Sequence, residues 1–384
     1  MSVPYTAIAS GSPTASATTV AARSGTAARA GAWIVLFGTV VTTVGISWDI
    51  QWHNEVGPDT FFTLPHLLLY SGSAIAGFAS LAMVVLATSA QRAGRPVPAA
   101  GGTPIRVFGS TLTAPVGYMV SGAGAALFLL YGLFDLEWHS IYGFDAVLNT
   151  PSHVALFLSI TITMIGSLMV FAAHRDEPWG RVGVVCATVI LIAFTPIPAD
   201  ALNNLALPVD AVVVATVLFA PLLLITGTLA LGRPGSALAI GVATAVLQAV
   251  LWWFSPWAAH VYASAVGLPL RDGLTPKPPT FPSIIPMFLF VAAFAVEALL
   301  LWFRRRPPAG LGIPTLLPVA GLVASLIIGV GLPLQVIATY PDPHISAVTV
   351  VTLIVVALPL GLLAGYLGGA FAAMLRTLTA GETR

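Results

Sequence analysis

A polytopic, all-α helix bundle embedded in a lipid bilayer is the fold class this sequence predicts, on three observations. Hydrophobic residues fill 57% of the 384 positions and charged residues only 8%, with a mean hydropathy of +0.95. So little charge cannot cover a water-soluble globule. Ten apolar segments are long enough to cross a hydrocarbon core of about 30 Å as helices. They lie near 30–48, 64–88, 113–134, 151–173, 181–198, 209–231, 235–254, 281–303, 311–336 and 346–375. Their apolar runs are continuous rather than alternating, which excludes a transmembrane β-barrel.

Taken in order, the chain opens on residues 1–29, rich in Ser, Thr, Ala and Gly, with Arg23 and Arg29 just ahead of the first apolar run. This reads as a flexible cytoplasmic tail rather than a cleaved signal. Residues 30–175 form a duplicated four-helix unit, 176–376 a six-helix unit, and 377–384 a short cytoplasmic tail. Arg92, Arg95, Arg106, Arg175, Arg181, Arg233, Arg304, Arg305, Arg306 and Arg376 flank the spans on the side of the N-terminal tail, with Arg271 and Lys277 opposite. By the excess of positive charge on cytoplasmic loops, both termini are expected inside. Most of the acids and six of the seven histidines then fall on the external side.

The duplication is visible in one string. Asp49-Ile-Gln-Trp-His53-Asn-Glu-Val-Gly57-Pro-Asp59, continuing to Pro65-His66, returns 86 residues later as Asp135-Leu-Glu-Trp-His139-Ser-Ile-Tyr-Gly143-Phe-Asp145, then Pro151-Ser-His153. Asp, Trp, His, Gly, Asp and Pro recur at identical offsets, with one residue inserted before the final His. An Asp four residues before a His puts both on one helix face, and a third ligand arrives from the next helix. Asp49, His53 and His66, and again Asp135, His139 and His153, are candidate metal ligands. Interfacial anchoring would account for Trp52 and Trp138. It would not fix an Asp/His/His spacing twice. Both copies begin on an outward-going helix, so the hairpins are expected to be parallel repeats about an axis along the membrane normal.

The spacing Asp49-x3-His53-x12-His66 resembles the copper-binding triad in the C subunit of the copper membrane monooxygenases, the particulate methane and ammonia monooxygenase family. Asp135-x3-His139-x13-His153 is similar to that subunit's neighbouring site, where the family typically has Asn in place of Asp135. The resemblance spans about residues 30–175. It implies copper at one or both triads, dioxygen activation, and oxidation of a small apolar substrate in a bacterial plasma membrane. It also implies an electron donor or additional membrane subunits as partners. Ligand type alone would equally admit zinc or iron.

Around the triads, Asp59 and Asp145 are expected to orient a ligand imidazole or to cap the following helix. Gly57 and Gly143 are expected to turn the chain, and Pro65 and Pro151 to open the returning helices. Glu297, inside the eighth apolar span, is costly to bury unless partnered, and is either a packing hydrogen bond or a catalytic proton-relay candidate. Asp200, Asn204 and Asp210 sit in the third external loop as a faint echo of the motif. His260 and His344 read as external loop histidines, and His174 faces the other side. Cys186 stands alone, so neither a disulfide framework nor a thiolate site is available. A net charge of +1 gives no electrostatic footprint for nucleic acid. With no phosphate-binding glycine loop either, two function classes remain: a copper-dependent membrane oxidoreductase, and a copper receptor or transporter.

Overall fold

The computed structural model describes residues 15–57, 60–97, 100–143, 148–201, 210–306 and 312–378. It is an all-α bundle, 79% helical. Its helices are α1 (Ala15–Glu55), α2 (Leu64–Arg92), α3 (Val116–Tyr142), α4 (Pro151–Ala173), α5 (Pro178–Phe194), α6 (Pro196–Asp200), α7 (Ala211–Leu231), α8 (Ser236–Val266), α9 (Thr280–Ile284), α10 (Leu289–Arg305), α11 (Ile313–Thr339) and α12 (Ala347–Thr377). Among the described residues, ten helical segments are long and apolar enough to span a bilayer. The protein is therefore an integral membrane protein. Exposed Leu, Phe and Val along α3 and α12 need no aqueous explanation, because lipid is as apolar as they are.

Four details differ from the sequence expectations. Helix α1 starts at Ala15, so residues 15–29 are helical rather than a flexible tail; the run Ala-Ser-Ala-Thr-Thr-Val-Ala-Ala-Arg contains strong helix formers. A two-stranded hairpin, β1 (Pro104–Val107) with β2 (Leu112–Pro115), precedes α3 where the third span was expected to begin. It is fastened to α2 by the Thr113 N–H, which donates to Thr88 Oγ1 at 3.1 Å. Helix α8 continues to Val266, past the expected end of the span at 254, so Trp257 and His260 lie on a helix, not in a loop. Pro256 is accommodated inside α8, where its missing N–H costs one helical bond rather than the whole element.

The eighth span is broken between α9 and α10. The freed carbonyls of Pro282 and Ile285 each accept from Gln248 Nε2 at 2.8 Å, and those of Ser283 and Ile285 accept from Gln335 Nε2 at 2.6 and 3.0 Å. Gln335 Oε1 in turn accepts from the Met287 N–H at 2.8 Å. Irregular backbone at this depth persists because buried amides replace the helical partners it lost.

Close packing carries the repeat. A Cβ at Gly38 in α1 would lie 2.6 Å from the Gly72 carbonyl and 2.7 Å from the Ala76 nitrogen of α2. The equivalent Gly124 in α3 faces the Ser159 carbonyl at 2.7 Å and the Thr163 nitrogen at 2.5 Å in α4. Gly38 and Gly124 are 86 residues apart, and Gly72/Ala76 and Ser159/Thr163 are 87 apart, as the single insertion requires. Small residues here let two helices approach to backbone contact, the usual basis of helix association in lipid. Helix α2 packs on α3 and α4 packs back on α1, so the two hairpins are related about an axis parallel to the helices. Helices α5 and α8 pack against α1, and α7, α10, α11 and α12 extend the bundle.

Candidate metal centre

Each triad assembles within its own hairpin. Asp49 and His53 are one turn apart near the C-terminal end of α1, and His66 stands in the first turn of α2. Asp135 and His139 occupy the same places in α3, and His153 the first turn of α4. Pro65 is the second residue of α2 and Pro151 the first of α4, positions in the first turn where the absent N–H is no loss. Thr150 caps α4, its Oγ1 accepting from the His153 N–H at 3.3 Å, so the cap and the ligand share one turn. In each triad one ligand atom per residue lies within 4.8 Å of the others, and each could hold a metal ion.

The contacts inside the clusters are short. His66 Nε2 lies 3.1 Å from Asp49 Oδ1, and His53 Nε2 lies 3.9 Å from Asp49 Oδ2. His139 Nε2 and His153 Nε2 each lie 3.5 Å from Asp135 Oδ1. Ligands held about 2.0–2.2 Å from one ion are separated by distances of this order. The aspartates are 7% and 4% exposed.

The second nitrogen of two rings decides what the first can do. His66 Nδ1 contacts the Thr60 carbonyl at 3.0 Å and His139 Nδ1 the Gly143 carbonyl at 3.0 Å. A carbonyl only accepts, so both Nδ1 atoms donate, and the Nε2 of a neutral ring then presents a lone pair. That lone pair faces a carboxylate oxygen. Although an imidazole nitrogen is near, Asp49 Oδ1 and Asp135 Oδ1 are buried and accept no hydrogen bond from a described residue. With the rings neutral, two acceptors converge there, which suits a cation, and the orienting bond on the far nitrogen is the arrangement metal-bound histidines adopt.

Gly143 is needed for its conformation. At φ +84° it closes α3, donating its N–H to the His139 carbonyl at 3.0 Å while its own carbonyl orients the His139 ring. A side chain there would strain the turn that aims the ligand.

Several contributors were not read from the sequence. Tyr70 stacks on His66 with ring centroids 5.9 Å apart and planes at 24°; Phe157 stacks on His153 at 6.1 Å and 23°. These aromatics are 87 residues apart, so extending the repeat one further turn would have found them. Near the first triad, Glu55 Oε2 meets His260 Nε2 at 2.9 Å, and the Arg271 N–H donates to the Glu55 carbonyl at 2.8 Å. No spacing rule predicts that contact across more than two hundred residues.

The remaining candidates fall elsewhere. Asp59, Asp145 and Asn204 lie outside the described residues. Asp210 caps α7, its Oδ1 accepting from the Val212 and Val213 N–H groups at 2.7 and 3.2 Å. His344 pairs with Asp342 in an exposed loop. His174 sits at the opposite end of the bundle, its Nδ1 3.1 Å from Glu177 Oε1.

Glu297 is buried and bridges to another helix. Its Oε1 accepts from the Gly235 N–H at 2.7 Å and its Oε2 from the Ala237 N–H at 3.0 Å, so the carboxylate closes the N-terminus of α8. Negative charge is favoured at that pole of the helix. The packing role is the one with named partners, near the arginine-bearing end of α10. Glu297→Ala should lower stability by about 2 kcal/mol and leave bound metal unchanged. Thermal unfolding and metal content measured on one preparation separate these two results.

No protein-family model, curated protein or solved structure matches this chain.

Proposed function

We propose that the protein is a copper-dependent membrane oxidoreductase of monooxygenase type, acting on a small apolar substrate drawn from the lipid bilayer. The observation that carries this reading is the pair of Asp/His/His clusters, each with its ligand atoms close enough to hold one metal ion and with a buried carboxylate oxygen that accepts no hydrogen bond from a described residue. Two imidazoles and one carboxylate suit copper, and zinc or iron would accept the same donors.

Bound copper would supply one-electron redox chemistry with dioxygen. The chain's own residues bind and orient. Asp49 and Asp135 offset positive charge in an apolar setting, which lets a cation reside there at tolerable cost. The Thr60 and Gly143 carbonyls fix two ligand rings, and Tyr70 and Phe157 hold the second histidine of each triad against rotation. The surrounding apolar helices exclude water and admit lipophilic molecules sideways. We further propose that the triads face the external side of a bacterial plasma membrane, with both termini cytoplasmic, and that an electron donor or further membrane subunits complete the enzyme.

A copper transporter is the competing reading. Among the described residues the buried carboxylates are Asp49, Asp135 and Glu297, and Glu297 is committed to the α8 terminus. No ladder of acidic or imidazole ligands therefore leads from the triads to the opposite end, which favours the oxidoreductase. The test uses copper-loaded, reduced protein in nanodiscs with a lipophilic substrate. Oxygen uptake and product formation are expected, reduced at least tenfold in Asp49→Ala or Asp135→Ala. Copper flux in proteoliposomes with no oxidation, with or without a candidate electron donor, would reject the enzyme reading.

A further inference from the structure

A cavity of about 660 Å³ lies between α4, α5, α7 and α12. It is open on the outer surface of the bundle, where Ile165, Phe219 and Met374 in its wall are exposed. Its wall along α7 runs from Ala211 to Thr226, about 22 Å at the helical rise. That is long and narrow, the shape of an extended acyl chain. The wall is apolar apart from Thr161, Thr195 and Thr226, and all three spend their hydroxyls on helical carbonyls.

One end of this cavity is basic. Leu375 lines it, and the next residue, Arg376, brings its guanidinium to Gly232, the residue that ends α7 six positions beyond Thr226. Arg304 Nη2 donates to the Gly232 carbonyl at 3.4 Å, and Arg233 follows in the chain, exposed. Among the described residues, none of these three arginines pairs with a carboxylate; the close carboxylate contacts there are all with histidine. Three uncompensated guanidinium groups below an apolar slot are complementary to one kind of occupant. A neutral hydrophobe would leave the arginines without a partner, and a soluble anion would leave the slot unfilled.

We propose that this cavity and the arginines at Gly232 form a binding site for one anionic phospholipid, an acyl chain lying along α7 and the phosphate held by Arg233, Arg304 and Arg376. Basic pockets between membrane helices recognise anionic headgroups in this way, each arginine near the surface contributing about a fivefold gain in binding. The site uses α4, α5, α7 and α12, includes no triad ligand in its wall, and requires no metal.

The experiment is native mass spectrometry of the full-length protein, released from micelles doped with equal amounts of phosphatidylglycerol and phosphatidylcholine of matched chains. One phosphatidylglycerol should be retained at least about fivefold over phosphatidylcholine. R304Q/R376Q should abolish the preference, and Leu218→Trp, which fills the slot and leaves the arginines in place, should reduce retention of both lipids. R95Q/R106Q, which removes two arginines elsewhere at the same end, should behave as wild type. Equal retention of the two lipids, or equal loss in R95Q/R106Q and R304Q/R376Q, overturns the site. Because all three variants have exposed or cavity-wall substitutions, unchanged thermal unfolding is expected and verifies that each preparation is folded.

Discussion

His66→Ala should release metal from the first triad and leave the second loaded, so that metal per chain falls by one equivalent. The expectation rests on each cluster being assembled inside one hairpin, with His66 Nε2 3.1 Å from Asp49 Oδ1. Removing a group that only orients a ligand costs about 10–100-fold in metal affinity, and removing the ligand itself costs more. His153→Ala should do the same at the second triad, and the double variant should retain no metal. Elemental analysis of protein purified under identical loading reads this directly, and electron paramagnetic resonance identifies copper if it is the metal. An unchanged metal content in the double variant would sink the assignment of both sites. A loss of two equivalents in His66→Ala would show instead that the triads are coupled.

Gly124→Leu should have the second large effect, because it acts on the fold and the site together. A Cβ at Gly124 would stand 2.5 Å from the Thr163 nitrogen, which belongs to backbone and cannot swing aside. Helices α3 and α4 must then separate, at a cost of about 3 kcal/mol or more for a full leucine side chain. Asp135 and His139 ride on α3 and His153 on α4, so the second triad should open while the first keeps its metal. Gly132→Ala, on the same helix, meets only Leu156 Cδ2 at 4.0 Å and should leave both sites and stability unchanged. Thermal unfolding with metal content tests the pair; equal behaviour of the two variants would mean that backbone contact does not hold the hairpin.

The amino-acid sequence by itself determined the helical class, the ten spans and the duplicated Asp/His/His spacing. Each rests on local order: apolar length compels helices in lipid, because backbone groups have no other partner there, and an i,i+4 pair shares a face wherever a helix forms. For the same reason Pro65 and Pro151 were legible as helix openers and Gly57 and Gly143 as turns, since their roles depend on their own backbone geometry. Glu297 was legible only as an anomaly. Its partners, the Gly235 and Ala237 N–H groups, lie about sixty residues away, and only packing of α10 against α8 brings them to it. The break between α9 and α10 was hidden for the same cause, since an unwound turn is stable only where Gln248 and Gln335 reach its carbonyls from other helices. Tertiary structure also decided that His260 meets Glu55, that three arginines gather at Gly232 below an apolar slot, and that the buried carboxylate oxygens of Asp49 and Asp135 stand 3.1 to 3.5 Å from imidazole Nε2 atoms. Such convergence comes from side chains on different helices meeting at close range, and the order of residues along one helix carries no record of it.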